Sequence, residues 1–400
     1  MDFQSLSQLN MLINKYSGNQ LPMTDKKTKL PYILKSYSIM SWLIQLTYLT
    51  VCVFGLFNVP RDKALKDGTV NIVVALEEIV LVIYLHNRKT LVRRLIGELN
   101  RVLAVDNEML RNVTINTVKS LEKPLKIYTI ASVNAVMLWT ALPLVQVFRR
   151  SEFYYTDYSV PAALSKQPFS YDVFVGGVVL QIIGGVYTVM KKIGVDIYTM
   201  HLILLMTAQY KYIRGKVAMT FRQYNEAFDD FGNSITGLKV SCEKQKVIKQ
   251  EMRSASHHYE VIVKMTIMLK KLLSPNIGIL YVNNVFRFCF LSLMIITNSG
   301  DNFEKLIIVM YTIGALTQFY VLCFCIQELV EASTSVADDV VHERWYFCDV
   351  LVQRVIAMII LADKMECRLS SFRNIDLTLP SFMSILNQAY STSLLFLKAK

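Results

Sequence analysis

Polar side chains near the C-terminus have the types and the spacing to line a path for ions. Four residues recur at three- and four-residue intervals, which places them on one helix face: Gln388, Ser391, Thr392 and Leu395. Amides and hydroxyls can replace water around an ion, and a ring of leucines can close a pore by excluding water. We therefore predict a pore-lining face with Leu395 as its gate. Two alternatives stay open: this face joins the helix to its neighbours, or the pore lies on the side of Tyr390 and Leu394.

Charged side chains stand inside two other apolar segments. Glu77 and Glu78 lie near the middle of the second segment and could line a pocket or contact the third. We favour the simpler interpretation, in which the second span begins further along the chain than Val70, where the apolar run starts. Lys191 and Lys192 lie about one helical turn from Asp196. They could form an ion pair within the membrane or belong to a part of the helix that projects from it.

Catalytic and metal-binding patterns are absent from the sequence. Cys323 and Cys325 lack the spacing and the partners of a metal site. Seven cysteines, an odd number that lies mostly in apolar or basic segments, provide no disulfide framework. There is no phosphate loop, zincin motif or nucleophile elbow. We expect neither an enzyme nor a bound metal or cofactor.

The composition is that of an all-α, polytopic membrane protein. Of 400 residues, 53% are hydrophobic and only 18% are charged, whereas soluble domains have about 25% charged residues. The net charge of +12 need not indicate nucleic acid, because membrane proteins concentrate lysine and arginine in cytoplasmic loops. The first thirty residues are polar, so we expect no cleaved signal peptide.

Seven segments are predicted to cross the membrane. They are Tyr32–Phe57, Val70–Leu85, Leu125–Phe148, Val173–Tyr212, Asn276–Thr297, Phe303–Ile326 and Leu379–Leu397. A separate amphipathic helix within 214–271 is expected to end before Ser274-Pro275. Residues 1–31 would then be a cytoplasmic segment, 32–345 a six-helix bundle with cytoplasmic loops, and 346–400 a cytoplasmic helix followed by the pore-lining seventh helix.

The helix predicted at Trp345–Lys364 is too short and too flanked by charge to cross the membrane. Its apolar stripe is expected to pack with the 214–271 helix in a cytoplasmic anchor domain between subunits. This stripe consists of Val352, Val355, Ile356 and Ile359.

The distribution of charge predicts the orientation. The N-terminus and the segments 88–123 and 214–271 are basic, and they lie on one side if every span is real. The positive-inside rule places them in the cytoplasm. Seven spans then put the C-terminus outside the cell, opposite to a G-protein-coupled receptor.

Motifs in the second half of the chain carry a family resemblance. Phe324-Cys325-Ile326-Gln327-Glu328-Leu329, with Trp345 beyond it, is similar to the family's run from the sixth span into the next helix. Leu377-Thr378-Leu379 and Ala389-Tyr390-Ser391 resemble its closing helix, and 257–275 resembles a cytoplasmic stretch that ends in Ser-Pro. In their order and spacing these motifs make the chain resemble an insect odorant receptor over essentially its full length. Gln327 departs from the pattern, which has a small residue there.

The resemblance implies a subunit of a tetrameric, odorant-gated, non-selective cation channel in the plasma membrane of an olfactory neuron. Its partners would be the odorant receptor co-receptor, a small volatile odorant and membrane lipid, with no nucleic acid. The compact second cytoplasmic loop is similar to that of a ligand-tuning subunit, not of the co-receptor. The family's apolar gate residue falls at Leu395. A receptor that signals through a G protein is the alternative, and a transporter is disfavoured because no inverted repeat is found.

A volatile ligand is small and mostly apolar, so its site should be an apolar, aromatic cavity with few polar groups. The resemblance places this site in the outer half of the bundle, among the second, third, fourth and sixth spans. The candidate residues are Val74, Ser132, Ala135, Trp139, Tyr187 and Tyr311. Ordinary core packing is the alternative role for each.

Overall fold

The computed structural model describes residues 1–26, 31–64, 68–231, 237–297, 302–342, 345–347, 349–363 and 377–398. Helices make up almost all of its regular structure. In chain order they are α1 Gln8–Ser17, α2 Tyr32–Phe57, the single turn α3 Arg61–Lys63, α4 Thr69–Asn87, α5 Lys89–Leu103, α6 Glu108–Ala141, α7 Tyr171–Phe231, α8 Gly237–Thr297, α9 Asn302–His342, α10 Val350–Asp363 and α11 Leu379–Lys398. The prediction of an all-α membrane protein is confirmed.

Six helices of the described chain are long and apolar enough to cross a membrane. They are α2, α4, α6 with the 3₁₀ turn Leu142–Phe148, α7, α8 and α9. The closing helix α11 has 20 residues and so spans roughly 30 Å, the thickness of a bilayer core. Its amide and hydroxyl side chains make it less apolar than the other six.

The core of the bundle forms around α7, which packs against α1, α2, α4, α6, α8 and α9. Every residue of 191–198 and 200–210 is buried. Small residues allow this close approach: a methyl group on Gly184 would overlap the ring of Tyr48 from α2. Gly176 has open space around its Cα, so it serves no such purpose.

Two helices continue well beyond the spans that hydropathy predicts. The expectation of a separate amphipathic helix ending before Ser274-Pro275 is wrong, because α8 runs unbroken through Pro275. A proline removes one backbone hydrogen bond, and packing against neighbouring helices keeps the chain helical there. At about 1.5 Å per residue, the 61 residues of α7 and of α8 extend roughly 90 Å each, about three times a bilayer core.

The sixth predicted span likewise continues, to His342 at the end of α9. Its charged continuation is held against α7 by two ion pairs. Lys211 Nζ lies 2.6 Å from Glu328 Oε2, and Arg214 Nε lies 2.5 Å from Asp339 Oδ2. Because its acids meet bases on α7, the polar stretch after Ile326 stays helical.

The helix predicted at Trp345–Lys364 is a 3₁₀ turn, Trp345–Phe347, followed by α10; Lys364 lies outside the described residues. Its apolar stripe, from Val352 to Ile359, is buried against α8 and α9 of the same chain. Lys249 of α8 donates to Asp349 at 2.9 Å, just before α10, and this hydrogen bond holds the pKa of the Asp349 carboxyl below its ordinary value.

The N-terminal segment is folded into the bundle, which its polar sequence did not indicate. The Ser7 hydroxyl caps α1, and Gly18 ends it in the left-handed conformation with φ 75°. Phe3 is fully buried, and its carbonyl lies 3.1 Å from His201 Nε2 of α7. The Asn19 amide donates to the Lys191 carbonyl at 2.9 Å. These contacts fix the segment against the centre of α7.

Candidate functional site

A small cavity lies between six helices, α2, α4, α6, α7, α8 and α9. Its lining is mostly apolar and aromatic: Tyr48, Val70, Asn71, Val74, Ala135, Val136, Trp139, Thr140, Gly185, Thr188, Val189, Leu291, Met294, Ile307, Ile308 and Tyr311. The space open to the centre of a water-sized sphere is about 50 Å³, several times the roughly 10–15 Å³ that one buried water needs. The cavity therefore suits a small organic molecule.

Four of the six predicted binding residues meet in this cavity: Val74, Ala135, Trp139 and Tyr311. The structure places the other two elsewhere. Tyr187 is two residues from both Gly185 and Val189, which turns it about 200° from them, and its ring faces Tyr37 at 6.3 Å. Ser132 is buried one turn from Ala135, outside the lining.

Sequence reasoning missed four polar residues of the lining: Tyr48, Asn71, Thr140 and Thr188. Asn71 stands three residues before Val74, so it shares its helix face. That spacing, with an amide in the apolar first half of the segment, was the signal that could have identified it. No comparable pattern marks Tyr48, whose position depends on how α2 packs against Gly184 of α7.

The loop between α6 and α7 packs against one end of the cavity. The Ser159 hydroxyl donates to the Trp139 carbonyl at 2.6 Å, and Val160 is buried against Tyr48 and Trp139. Gln181 of α7 donates to the Val160 carbonyl at 2.6 Å. The loop therefore holds two aromatic side chains of the lining in place.

A buried charged network lies on the other side of the cavity. Lys192 Nζ is 2.8 Å from Glu77 Oε1 and 2.7 Å from Asp196 Oδ1, and all three side chains are almost completely buried. Asn283 of α8 donates to Glu77, and Gln318 of α9 donates to Asp196. Each carboxylate thus has a cation and an amide, the pairing that a charge in a low-dielectric interior needs.

Glu78 belongs to a second chain of contacts between α2, α4 and α7. Gln45 donates to Glu78 at 2.5 Å and accepts from Lys191 at 2.6 Å. The Lys191 ammonium also lies 3.6 Å from the centre of the Trp42 ring, which is a cation–π contact. The favoured interpretation of Glu77 and Glu78 is therefore wrong: α4 begins at Thr69 and carries both acids inside the bundle. Of the two alternatives for Lys192 and Asp196, the structure contains the ion pair.

The network and the cavity are joined through Tyr311. Gln318 accepts from both Arg287 and Tyr128 at 3.0 Å, and the Arg287 guanidinium lies 5.8 Å from the centre of the Tyr311 ring. Tyr311 in turn lines the cavity. A molecule in the cavity would thus contact a side chain that also touches the charged network.

The closing helix α11 is packed on one side only. Ile385, Ala389 and Ser393 are buried, and the opposite face, with Gln388, Ser391 and Thr392, lines an open groove. Leu395 lies on this open face with 68% of its surface exposed, against 38% for Leu394. The three polar residues and Leu395 therefore share one face, as their spacing predicts.

Aromatic contacts join α11 to α8 and α9, two of the six helices that line the cavity. Phe396 packs on Phe290 of α8 at 6.0 Å between ring centres, and Phe382 packs on Phe319 of α9 at 5.5 Å. Gln388 donates to the Tyr281 hydroxyl of α8 at 2.9 Å. A shift of α8 or α9 would move α11 with it.

Neither a metal-ligand cluster nor a disulfide is present among the described residues. Within the described ranges no three metal-binding side chains come together. Cys52, Cys289, Cys323 and Cys325 are free and buried, while the side chains of Cys242, Cys348 and Cys367 lie outside the described part.

Comparison with known proteins identifies similar chains. The profile of the family described as 7tm Odorant receptor matches residues 69–390. Odorant receptor 22c of Drosophila melanogaster is 24% identical over 181 residues, which is 45% of this chain and 44% of that protein, so the alignment spans under half of the relative's length.

Two solved structures share the fold. The insect olfactory receptor OR5 from Machilis hrabei has a TM-score of 0.75 at 13% identity, over 98% of this chain and 97% of that one. Its complex with eugenol has a TM-score of 0.73 at 13% identity, over 99% and 98% of the two chains.

Proposed function

The chain belongs to the 7tm odorant receptor family, and we propose that it is the odorant-binding subunit of an odorant-gated, non-selective cation channel. A small volatile occupies the cavity lined by Trp139 and Tyr311. Its binding opens a pore lined by α11. The family is one of receptors, and the chain is not an enzyme.

The observation that carries this proposal is the cavity itself. Six helices line it, its surface is mostly apolar, and three aromatic residues, Tyr48, Trp139 and Tyr311, contribute to it. Such a site gains affinity by removing a small apolar molecule from water, at roughly 25 cal/mol per Å² of apolar surface. The similar receptor OR5 was solved with eugenol, a small aromatic volatile of the class that this lining suits.

The route from cavity to pore runs through α8 and α9. Both helices line the cavity, through Met294 and Tyr311, and both contact α11. We propose that a ligand which displaces Tyr311 shifts these helices and moves α11 outward. The polar face of α11 supports a role in lining the pore, with Gln388, Ser391 and Thr392 beside the ions and Leu395 as the apolar gate.

A single subunit leaves the groove beside α11 open, and other subunits would complete the pore around it. The proposed assembly is a tetramer with the odorant receptor co-receptor in the plasma membrane of an olfactory neuron. The extended inner parts of α7, α8 and α9, together with α10, would form the cytoplasmic anchor domain.

Currents from cells that express the chain with and without the co-receptor test the proposed function. We expect a volatile from a broad panel to open a cation conductance only in the co-expressing cells. Tyr311→Ala removes one cavity ring, and by lost apolar contact it should raise the half-maximal odorant concentration about tenfold or more.

Tyr187→Ala is the matched control, because this tyrosine is in the same bundle but does not line the cavity. The odorant sensitivity of the Tyr187→Ala variant should stay near that of the unchanged receptor. Equal effects of the two substitutions would count against the cavity as the odorant site. A response that needs a G protein and persists without the co-receptor would support the alternative receptor class.

A further inference from the structure

A buried polar group of the cavity lining has no hydrogen-bond partner of ordinary geometry. The Asn71 side-chain Nδ2 is buried and has no hydrogen-bond partner within the described structure. Asn71 lies on α4, one turn before Val74, and both line the cavity. A buried amide donor without a partner is unfavourable, because it has lost its water and gained nothing in return.

The two threonine hydroxyls of the lining already have hydrogen-bond acceptors. Thr140 donates to the Val136 carbonyl at 2.7 Å, and Thr188 donates to the Gly184 carbonyl at 2.9 Å, so both hydroxyl protons are used within their own helices. The Tyr48 hydroxyl is near enough to interact with the Asn71 amide, but the pair does not have hydrogen-bond geometry. Because an amide nitrogen has two N–H donors, at least one N–H of Asn71 is free for a ligand.

Resting on the proposed function, we infer that Asn71 determines specificity by donating a hydrogen bond to an acceptor oxygen of the odorant. The preferred ligands are small, mostly apolar volatiles with one carbonyl, ester or ether oxygen. The hydrocarbon part lies against Trp139 and Tyr311, and the oxygen points towards α4. A hydrocarbon of the same shape fills the same space but leaves the amide unpaired.

Isosteric pairs of volatiles isolate this hydrogen bond. Acetophenone and α-methylstyrene differ by an oxygen in place of a methylene group, as do cyclohexanone and methylenecyclohexane. A panel of such carbonyl and methylene pairs is applied to cells that express the chain with the co-receptor. In the unchanged receptor we expect the carbonyl member of an active pair to be about tenfold more potent, the effect of one satisfied buried donor.

Asn71→Leu replaces the amide by an apolar group of similar size. It should abolish the preference for the carbonyl, with the potency ratio of the pair falling to about one or below, while the methylene member still opens the channel. The matched control is Asn134→Leu, the same change at an exposed position of α6. It should keep the ratio of the unchanged receptor.

The outcomes separate the specificity role from the receptor function. Two results overturn the role of Asn71 and leave the odorant receptor function intact. In the first, both members of a pair open the unchanged receptor with a potency ratio near one. In the second, the potency ratio of the unchanged receptor is retained in Asn71→Leu. A panel whose active members are all hydrocarbons overturns the role of Asn71 as well. If no volatile of any class opens the channel, the proposed function fails and the inference fails with it.

Discussion

At the scale of single residues, the buried charges are the most demanding feature of this chain. Lys192 is the shared cation of two carboxylates from different helices, Glu77 and Asp196. Burying three charges is tolerable only while they stay paired, because an isolated charge in a low-dielectric interior is strongly unfavourable. The pairs therefore specify how α4 and α7 must pack.

Lys192→Met should destabilise the fold severely. It leaves two buried carboxylates without their cation, which costs about 3–5 kcal/mol by analogy with other broken buried pairs. The measurement is the thermal unfolding of detergent-purified receptor, followed by size-exclusion chromatography after heating. Lys126→Met is the control, because Lys126 pairs with Glu122 on an exposed face, where ion pairs contribute about 0–1 kcal/mol. Similar losses for the two variants would show that the buried network is not a stability element.

At the scale of secondary-structure elements, α11 is distinguished by the polar character of its unpacked face. The packed face holds Ile385, Ala389 and Ser393, and its opposite face is polar up to Leu395. A helix with one packed and one wet face is typical of a pore wall, since a lipid-facing side would not keep amides and hydroxyls.

Leu395→Ser should raise the odorant-independent current of the complex with the co-receptor. A hydroxyl in place of the isobutyl group makes water in the constriction more favourable, so the resting pore is less completely closed. Leu394→Ser is the control: this residue is about half as exposed and lies off the polar stripe. Resting currents are compared at equal surface expression. An unchanged current in Leu395→Ser, or a larger one in Leu394→Ser, would move the pore to another face.

The short helix α10 has two faces with different roles. Ile356 and Ile359 are buried against α8 and α9, so they are covered by their own chain. The apolar residues that a second subunit could contact are on the other face, where Met358 and Leu361 are 57% and 66% exposed. The stripe that hydropathy picks out is therefore an internal contact.

Two substitutions on α10 should have opposite consequences. Ile356→Asp places a charge in the core and should reduce the amount of folded monomer. Met358→Asp should leave the monomer folded and reduce its co-purification with the co-receptor, since it adds a charge to the proposed apolar contact between subunits. Gel filtration of each variant, alone and with the co-receptor, distinguishes the two. Normal co-purification of Met358→Asp would exclude this face from the assembly.

At the scale of the whole molecule, the long helices extend charged ends to one side of the bundle. The basic segment 88–123 and the ion pairs of Lys211 and Arg214 belong to that side. The opposite side carries the loop that packs on Trp139. By the positive-inside rule, we propose that the charged side faces the cytoplasm and that the cavity lies towards the outside.

The expected orientation has a direct test. An epitope placed after Lys400 should be stained on intact cells, whereas one placed before Met1 should be stained only after permeabilisation. The reason is the odd number of spans, six apolar helices and α11, between the two ends. Staining with the reverse pattern would falsify both the orientation and the ion-channel assembly that depends on it.

Local patterns in the sequence were enough for the helical class, the approximate apolar spans and the open face of α11. Hydropathy depends on composition over a window of neighbouring residues, and a helix face depends on spacing along one element. Both can therefore be read without knowing the fold. Four of the six residues predicted for the ligand site also meet in the cavity. Helix periodicity was only partly enough, because Ala135 and Trp139 line the cavity whereas Ser132, chosen by the same spacing on α6, does not.

Tertiary structure alone decided the partners of the buried charges, the continuity of α8 through Pro275 and the lining of the cavity. Glu77 and Lys192 are more than a hundred residues apart, so no local pattern joins them. Packing also overrides the usual effect of a proline, and it turns Tyr187 away while bringing in Asn71. Contacts between distant segments depend on how helices rotate and approach one another, and that is determined only when the whole bundle is packed.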